Sequence, residues 1–337
     1  MRLLRFLLAL FFLSGVLAAG AFFFWFLRPL PFAPDVAHVE FRVPSGMGLR
    51  GVARLLDQEG VAVNPHLLVL AARLTGRAGA VRTGVYALEA GSTPRDLLDL
   101  LASGKVLQVD VRLIEGWTFR EWRQRIHAHP DLTQVAATLS DAELMERLGM
   151  PGQSPEGRFF PDTYRVDKFS DDLALFARAA RTMQEHLQRE WQAREANLPY
   201  RNAYEALILA SIVEKETGVE ADRSEIAGVF VNRLRIGMRL QTDPSVIYGL
   251  GTAFDGNLRR IHLEADTPYN TYTRAGLPPT PIAMPGLASL KAALHPAPTK
   301  ALYFVARGDG SSHFSATLAE HNAAVDRYQR RRQRARP

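Results

Sequence analysis

The stretch Tyr204–Gly218, YEALILASIVEKETG, decides how the main body of this chain folds. Tyr204–Val213 is apolar on nearly all sides, and a helix of that composition is buried rather than laid on a surface. Glu214-Lys215-Glu216-Thr217 follows, and Gly218 is expected as the left-handed residue that closes the helix. At about 100° per residue, Glu214 and Glu216 point about 200° apart, so they cannot both face one cleft. Glu216 shares its stripe with Val213, Ile212 and Leu209, whereas Glu214 shares its own with Ser211, Ala210 and Leu207. A carboxylate at the end of an apolar face is desolvated and sits at the negative pole of the helix, and both effects raise its pKa. A raised carboxyl is what a general acid needs near neutral pH. The spacing alone leaves a second reading open, in which one or both glutamates are solvated end-of-helix residues.

Working outward, Asp222-Arg-Ser-Glu225 reads as a capping box opening a second helix, with Ile226, Val229, Phe230 and Leu234 as its core stripe and Gly237 as its stop. Gln241-Thr242-Asp243-Pro244 reads as a turn in which Asp243 satisfies backbone amides, although a second carboxylate there would permit hydrolytic chemistry. Tyr248 lies just beyond. Tyr269-Asn270-Thr271-Tyr272 offers amides, hydroxyls and ring faces suited to N-acetyl sugars, or is simply a packed loop. Leu277-Pro278-Pro279 and Met284-Pro285-Gly286 read as rigid turns, and Tyr303-Phe304-Val305 as a buried strand.

Residues 30–108 alternate strand and helix patterns: HVEFRV at His38–Val43, helical spacing at Leu49–Leu56 and Pro65–Leu74, a strand at Gly84–Leu88 and a helix at Pro94–Leu101. PSGMGLRGVARLL from Pro44, EAGSTPRDLLDLL from Glu89 and IEGWTFREWRQRI from Ile114 form a weak echo. Each has a glycine turn (Gly46, Gly91, Gly116) leading into an amphipathic helix, with Thr93 and Thr118 as N-caps. The alternation resembles LysM-type modules, which bind N-acetylated sugar polymers; a generic small α+β packing module fits equally.

The first residues set the context. Phe6–Leu27 carries no charge and is long enough to cross a bilayer, with Arg2 and Arg5 before it and Arg28 after. The basic leading segment is expected to stay cytoplasmic. Ala19-Gly20-Ala21 imitates a signal-peptidase site, but the apolar run continues to Leu27, longer than a signal core, so residues 1–29 are read as an uncleaved single-pass anchor. The formal charge of +6 is local: RYQRRRQRARP at Arg327–Pro337 holds six arginines and no acid, leaving zero for the rest and no global field to attract nucleic acid. That tail is read as a frayed soluble terminus. The absence of cysteine excludes disulfides, thiolate metal sites and cysteine nucleophiles. The nine histidines form no ligand cluster, so no metal is expected; there is no phosphate-binding glycine loop, no nucleophile elbow and no evident Schiff-base lysine, so no cofactor is expected.

Several long segments resemble the YceG-like family of membrane-anchored endolytic murein transglycosylases. They are ASIVEKET at Ala210–Thr217, VFVNRLRIGMRLQTDPSVIYGLG at Val229–Gly251, YNTYTRAGLPPTPIAMPG at Tyr269–Gly286 and HPAPTKALYFVARGDGSSHF at His295–Phe314, with EGRFFPDTY at Glu156–Tyr164 and EGWT at Glu115–Thr118. The resemblance runs from the anchor almost to the tail. It implies an α+β fold: an N-terminal transmembrane helix, a LysM-like subdomain over 30–108 and a mixed α+β catalytic domain over 109–326, followed by the basic tail 327–337. It further implies Glu216 as the catalytic acid; from their own chemistry and place in these motifs, Gln241, Asp243, Tyr248, Asn270 and Tyr272 are the substrate-binding candidates, with no cofactor or metal expected. The implied reaction cleaves the MurNAc–GlcNAc bond of nascent strands and leaves 1,6-anhydro ends, which would end strand elongation; a water-adding muramidase and a non-catalytic glycan-binding scaffold are the rival readings. The implied partners are peptidoglycan glycan strands, the membrane and peptidoglycan synthases, and the implied place is the inner membrane with the catalytic domain in the periplasm.

Overall fold

The computed structural model describes residues 2–330; the 331–337 part of the arginine-rich tail lies outside the described residues. The fold is α+β, and the chain separates into two compact units, Met1–Asp110 with Arg165–Ser170, and Val111–Tyr164 with Asp171–Pro337.

The first unit begins with α1 (Arg2–Leu27), the one described helix long and apolar enough to cross a membrane. Its last turn is not free: Phe26 is buried, and Phe22 and Trp25 pack beside it on the unit's core. Then come β1 (His38–Val43), α2 (Leu49–Gln58), α3 (Pro65–Leu74), β2 (Gly84–Glu89), α4 (Pro94–Ser103) and β3 (Gln108–Leu113). β1 and β2 pair antiparallel, His38 opposite Glu89 and Val43 opposite Gly84. Val39, Phe41 and Val43 are buried in strict alternation, as a one-sided strand requires. α2 and α3 cover that face through Val52, Leu56 and Leu68, so the order is strand–helix–helix–strand. Thr93 caps α4 in a reciprocal box with Asp96, with Pro94 at its first position. The echoed glycines are genuine turns: Gly46, Gly91 and Gly116 have φ of 80°, 91° and 74°, a region that penalises any side chain.

The second unit contains α5 (Phe119–His127), β4 (Leu132–Thr133), α6 (Asp141–Arg147), β5 (Asp162–Asp167), β6 (Ser170–Asp171), α7 (Asp172–Ala193), α8 (Ala203–Glu216), α9 (Glu220–Arg235), α10 (Asp243–Leu250), α11 (Arg260–Glu264), α12 (Leu287–Leu294), β7 (Tyr303–Ala306), β8 (Ser312–Ser315) and α13 (Leu318–Val325). β3 and β5, which pair with each other, each straddle a point where the chain passes from one unit to the other. α8 is the central element: Ala206–Val213 are all buried, packed by α7, α9 and α12. Thr118 caps α5 through a box with Glu121, and Trp122 and Ile126 lie fully buried on one face. β7 pairs antiparallel with β8, Phe304 opposite Phe314; only Val305 of its apolar run is fully buried.

Two local readings are corrected. Gly218 is not left-handed; α8 ends because Thr217 turns extended, with φ −148° and ψ 137°. α9 starts at Glu220 rather than after Asp222, and the Asp222 carboxylate is no cap: it is nearly buried and accepts from Ser312 N at 2.6 Å, tying α9 to β8. The long-range amide competes successfully for an oxygen that a local pattern assigns to the helix.

Candidate functional site

α8 delivers its two carboxylates to different neighbours, as their spacing requires. Glu214 Oε2 accepts from Gly286 N at 3.0 Å and Ser289 Oγ at 2.7 Å, locking α8 to the start of α12. Glu216 turns away and accepts a hydrogen bond from the Thr242 hydroxyl. Burial pushes the Glu216 carboxyl above its ordinary value, the nearby Asp243 charge pushes it further, and the Thr242 hydroxyl and Arg233 guanidinium pull it back. Desolvation outweighs the two stabilising partners, so the carboxyl holds a proton to higher pH than a surface glutamate.

Thr242 is held by a cluster of small hydroxyls. Its N donates to Thr271 Oγ1 at 3.0 Å, its carbonyl accepts from Ser245 Oγ at 2.9 Å, and Ser245 and Thr271 lie 2.9 Å apart through their hydroxyls. All three are buried, and the bonds hold the Thr242 backbone from which the hydroxyl reaches Glu216. The preceding Gln241 has φ 50°, unusual for a residue with a side chain, and its N donates to Thr271 O at 3.1 Å. Backbone strain next to a desolvated carboxyl is a recurrent mark of a working site. Arg233 is buried below the cluster: Nε donates to Leu302 O at 2.7 Å and a terminal nitrogen to Leu240 O at 2.6 Å, and its guanidinium lies 5.4 Å from the Tyr303 ring centre.

Of the residues singled out in the sequence, Glu216, Gln241, Asp243 and Tyr272 come together. Asp243 is exposed; it does not cap a turn as expected but opens α10, and its Oδ1 accepts from the Tyr272 hydroxyl at 2.5 Å. Tyr248, five positions along α10, faces elsewhere: its hydroxyl donates to Glu156 Oε2 at 3.0 Å, and its ring meets Tyr269 edge-on, centres 4.9 Å apart. Asn270 is fully buried, with Nδ2 donating to the carbonyls of His262, Leu263 and Ala265 and Oδ1 accepting from Tyr272 N at 2.9 Å. Its polar atoms are spent on the loop, so it positions Tyr272 and offers nothing to a ligand.

The remaining motifs build the walls. Gly116 N donates to Met284 O and Met284 N to Trp117 O, both at 2.8 Å, so the EGWT segment ladders against the MPG segment. Ser211 Oγ accepts from Ile282 N at 3.0 Å, fastening that segment to α8. Glu156 is 4 % exposed and accepts from Phe119 N and Tyr248 Oη, each at 3.0 Å. Burial pushes its carboxyl to about 7 despite those two donors. Sequence reasoning missed Thr242, Thr271, Arg233 and Glu156 as partners. Thr242 and Thr271 had a weak signal, since each stands between two flagged residues; Arg233 and Glu156 act on Glu216 and Tyr248 across 17 and 92 positions of sequence, where no periodicity reports contact.

The sequence model of the YceG-like family matches residues 41–327. A Bacillus subtilis protein named endolytic murein transglycosylase is 31% identical over 318 residues, which cover 86% of this chain and 84% of that one. A protein of the same name from Streptococcus pneumoniae is 24% identical across 92% of this chain, which spans 63% of its length. Among solved structures, a YceG-like protein from Listeria monocytogenes superposes with a TM-score of 0.54 at 27% identity, covering 85% of this chain and 98% of that one. By the extent of the family match and by the identity and coverage of these relatives, the chain belongs to the YceG-like family.

Proposed function

We propose that this protein is a membrane-anchored endolytic murein transglycosylase with Glu216 as its single catalytic carboxyl. The observation that carries the proposal is Glu216 itself: a carboxyl at the end of a buried helix, raised by desolvation and held by the hydroxyl of a residue whose backbone is pinned. Its relatives' name supplies the substrate class. Protonated Glu216 gives its proton to the glycosidic oxygen between N-acetylmuramic acid and N-acetylglucosamine as the C1–O bond breaks. The muramoyl 6-hydroxyl closes on C1, and its proton returns to Glu216. One carboxyl thus serves as acid and then as base, no water is consumed, and the product carries a 1,6-anhydro end. In nascent strands such a cut would terminate elongation.

Gln241, Asp243 and Tyr272, on the exposed side of the Thr242 cluster, are assigned to the sugar next to the scissile bond. Tyr248 belongs to the wall around Glu156. The strand–helix–helix–strand order of the first unit supports reading residues 30–108 as a LysM-like glycan-holding subdomain, with 109–326 as the catalytic domain. α1 would sit in the inner membrane with Arg2 and Arg5 on the cytoplasmic side and the body in the periplasm, near nascent strands and the peptidoglycan synthases that make them.

One observation favours a rival: Asp243 is exposed and close enough to raise Glu216 electrostatically, as the second carboxylate of a hydrolase would be. Mass spectrometry of products from glycan strands decides. Ends lacking the elements of water, in wild type and in Asp243→Asn alike, support the transglycosylase; reducing ends that vanish in Asp243→Asn support the muramidase.

A further inference from the structure

Within the second unit a cavity of about 730 Å³ opens beside α10, in the size range of small-ligand sites. Glu216 is not among its lining residues, but the neighbours Lys215 and Pro244 are, so it adjoins the catalytic group without containing it. Tyr248 and Tyr269 form one wall, and Arg120 and Lys215 bring two cations.

Charge accounting sets this cavity apart. Arg120 is exposed and has no hydrogen-bond or ion-pair partner among the described residues. It stands in the first turn of α5, where the helix dipole disfavours a cation. Lys215 Nζ donates only to the Gly116 carbonyl, at 3.0 Å, while the glutamates on either side of it turn to Gly286, Ser289 and Thr242. The two acids lining the cavity face other groups. Neither forms an ion pair with Arg120 or Lys215 among the described residues: Glu121 turns its carboxylate to the Thr118 amide and hydroxyl, at 2.7 and 2.8 Å, and Glu156 is buried under Tyr248. The cavity therefore presents two unpaired cations beside apolar ring faces.

We propose that this cavity is a subsite for the carboxylate-bearing peptide stem of muramic acid, with Arg120 and Lys215 reading its charge. The identity of the glycan rests on the transglycosylase reading above. Two cations placed to accept a flexible anionic stem would let the enzyme tell stem-bearing strands, whose carboxylates lie out along the peptide, from stripped strands, which keep only the lactyl carboxylate on the sugar.

The test is binding rather than cleavage, so that its failure and the failure of the catalytic assignment can be told apart. Full-length protein carrying Glu216→Gln, in detergent, is titrated calorimetrically with N-acetylmuramoyl tripeptide and with N-acetylmuramic acid amidated at its lactyl carboxyl, which carries no anion. The peptide form is expected to bind about tenfold more tightly, the worth of one charge-assisted contact, with an advantage that shrinks as salt rises. Adding Arg120→Ala or Lys215→Ala should remove the advantage, and Arg120→Lys should restore part of it at an unchanged melting temperature. Equal binding of the two ligands, binding of neither, or an advantage that survives Arg120→Ala overturns the subsite. If the advantage behaves as expected while wild type cuts no strand, the subsite stands and the transglycosylase reading falls.

Discussion

Replacing Glu156 by Gln should change how the stability of the second unit depends on pH. The wild-type carboxyl is 4 % exposed and held at about 7 against an ordinary value of 4.5, with burial as the largest cause. Between those values the folded protein keeps a proton that the unfolded chain has released. Stability from this group is therefore complete below pH 4.5, declines as pH rises towards 7, and is flat above it. The shift corresponds to about 3 kcal/mol. Gln is isosteric and cannot ionise; its oxygen can still accept from Phe119 N, and its amide can donate to the Tyr248 oxygen. Wild type should then lose about 3 kcal/mol between pH 4.5 and 8 that the variant keeps, which for a unit of this size is about 10 °C in melting temperature. The assay is thermal unfolding of both proteins across that range, followed by near-ultraviolet circular dichroism. The difference of the two pH slopes is the readout, because every other titrating group cancels. Parallel curves would show that Glu156 ionises without penalty and would refute the burial argument.

Other consequences follow from single contacts. Thr242→Val removes the hydroxyl that holds Glu216 and lowers its pKa, so cleavage should fall about tenfold and the alkaline limb of the pH–rate profile should move to higher pH; an unmoved limb would detach Thr242 from Glu216. Asn270→Ala removes the buried donor shared by three loop carbonyls and should cost about 1–2 kcal/mol in urea unfolding, with weaker cleavage as Tyr272 loosens; wild-type stability would mean that the loop holds itself. Gly228→Ala would set a methyl 2.8 Å from the Ala297 carbonyl oxygen and 2.7 Å from Thr299 Cγ2, so about 1–3 kcal/mol should be lost in the same assay, where no change would deny the close approach of α9 to that segment.

Much of the fold is legible in the sequence where the determining physics is local. The apolar run of α8, the 200° divergence of its two glutamates, the Thr93 and Thr118 caps and the glycine turns of the echoed motifs all depend on neighbours within a few residues. The misreadings share the opposite property. Asp222 has the spacing of a capping acid, but a β8 amide 90 positions away claims it. Asn270 has the chemistry of a sugar ligand, but local carbonyls exhaust it. Glu156 sits in a quoted motif without a role because its burial is created by Phe119 and Tyr248, from two distant elements. The site is thus half readable: which carboxyl can be raised is a property of one helix, and what holds it there is a property of the packed unit.

The central claim is that Glu216 alone carries the proton transfers, and digestion of isolated peptidoglycan strands by full-length wild type and Glu216→Gln tests it most directly. Wild type should produce 1,6-anhydro ends, and the variant should cleave nothing at an unchanged melting temperature. Cleavage by the variant at the wild-type rate would contradict the claim.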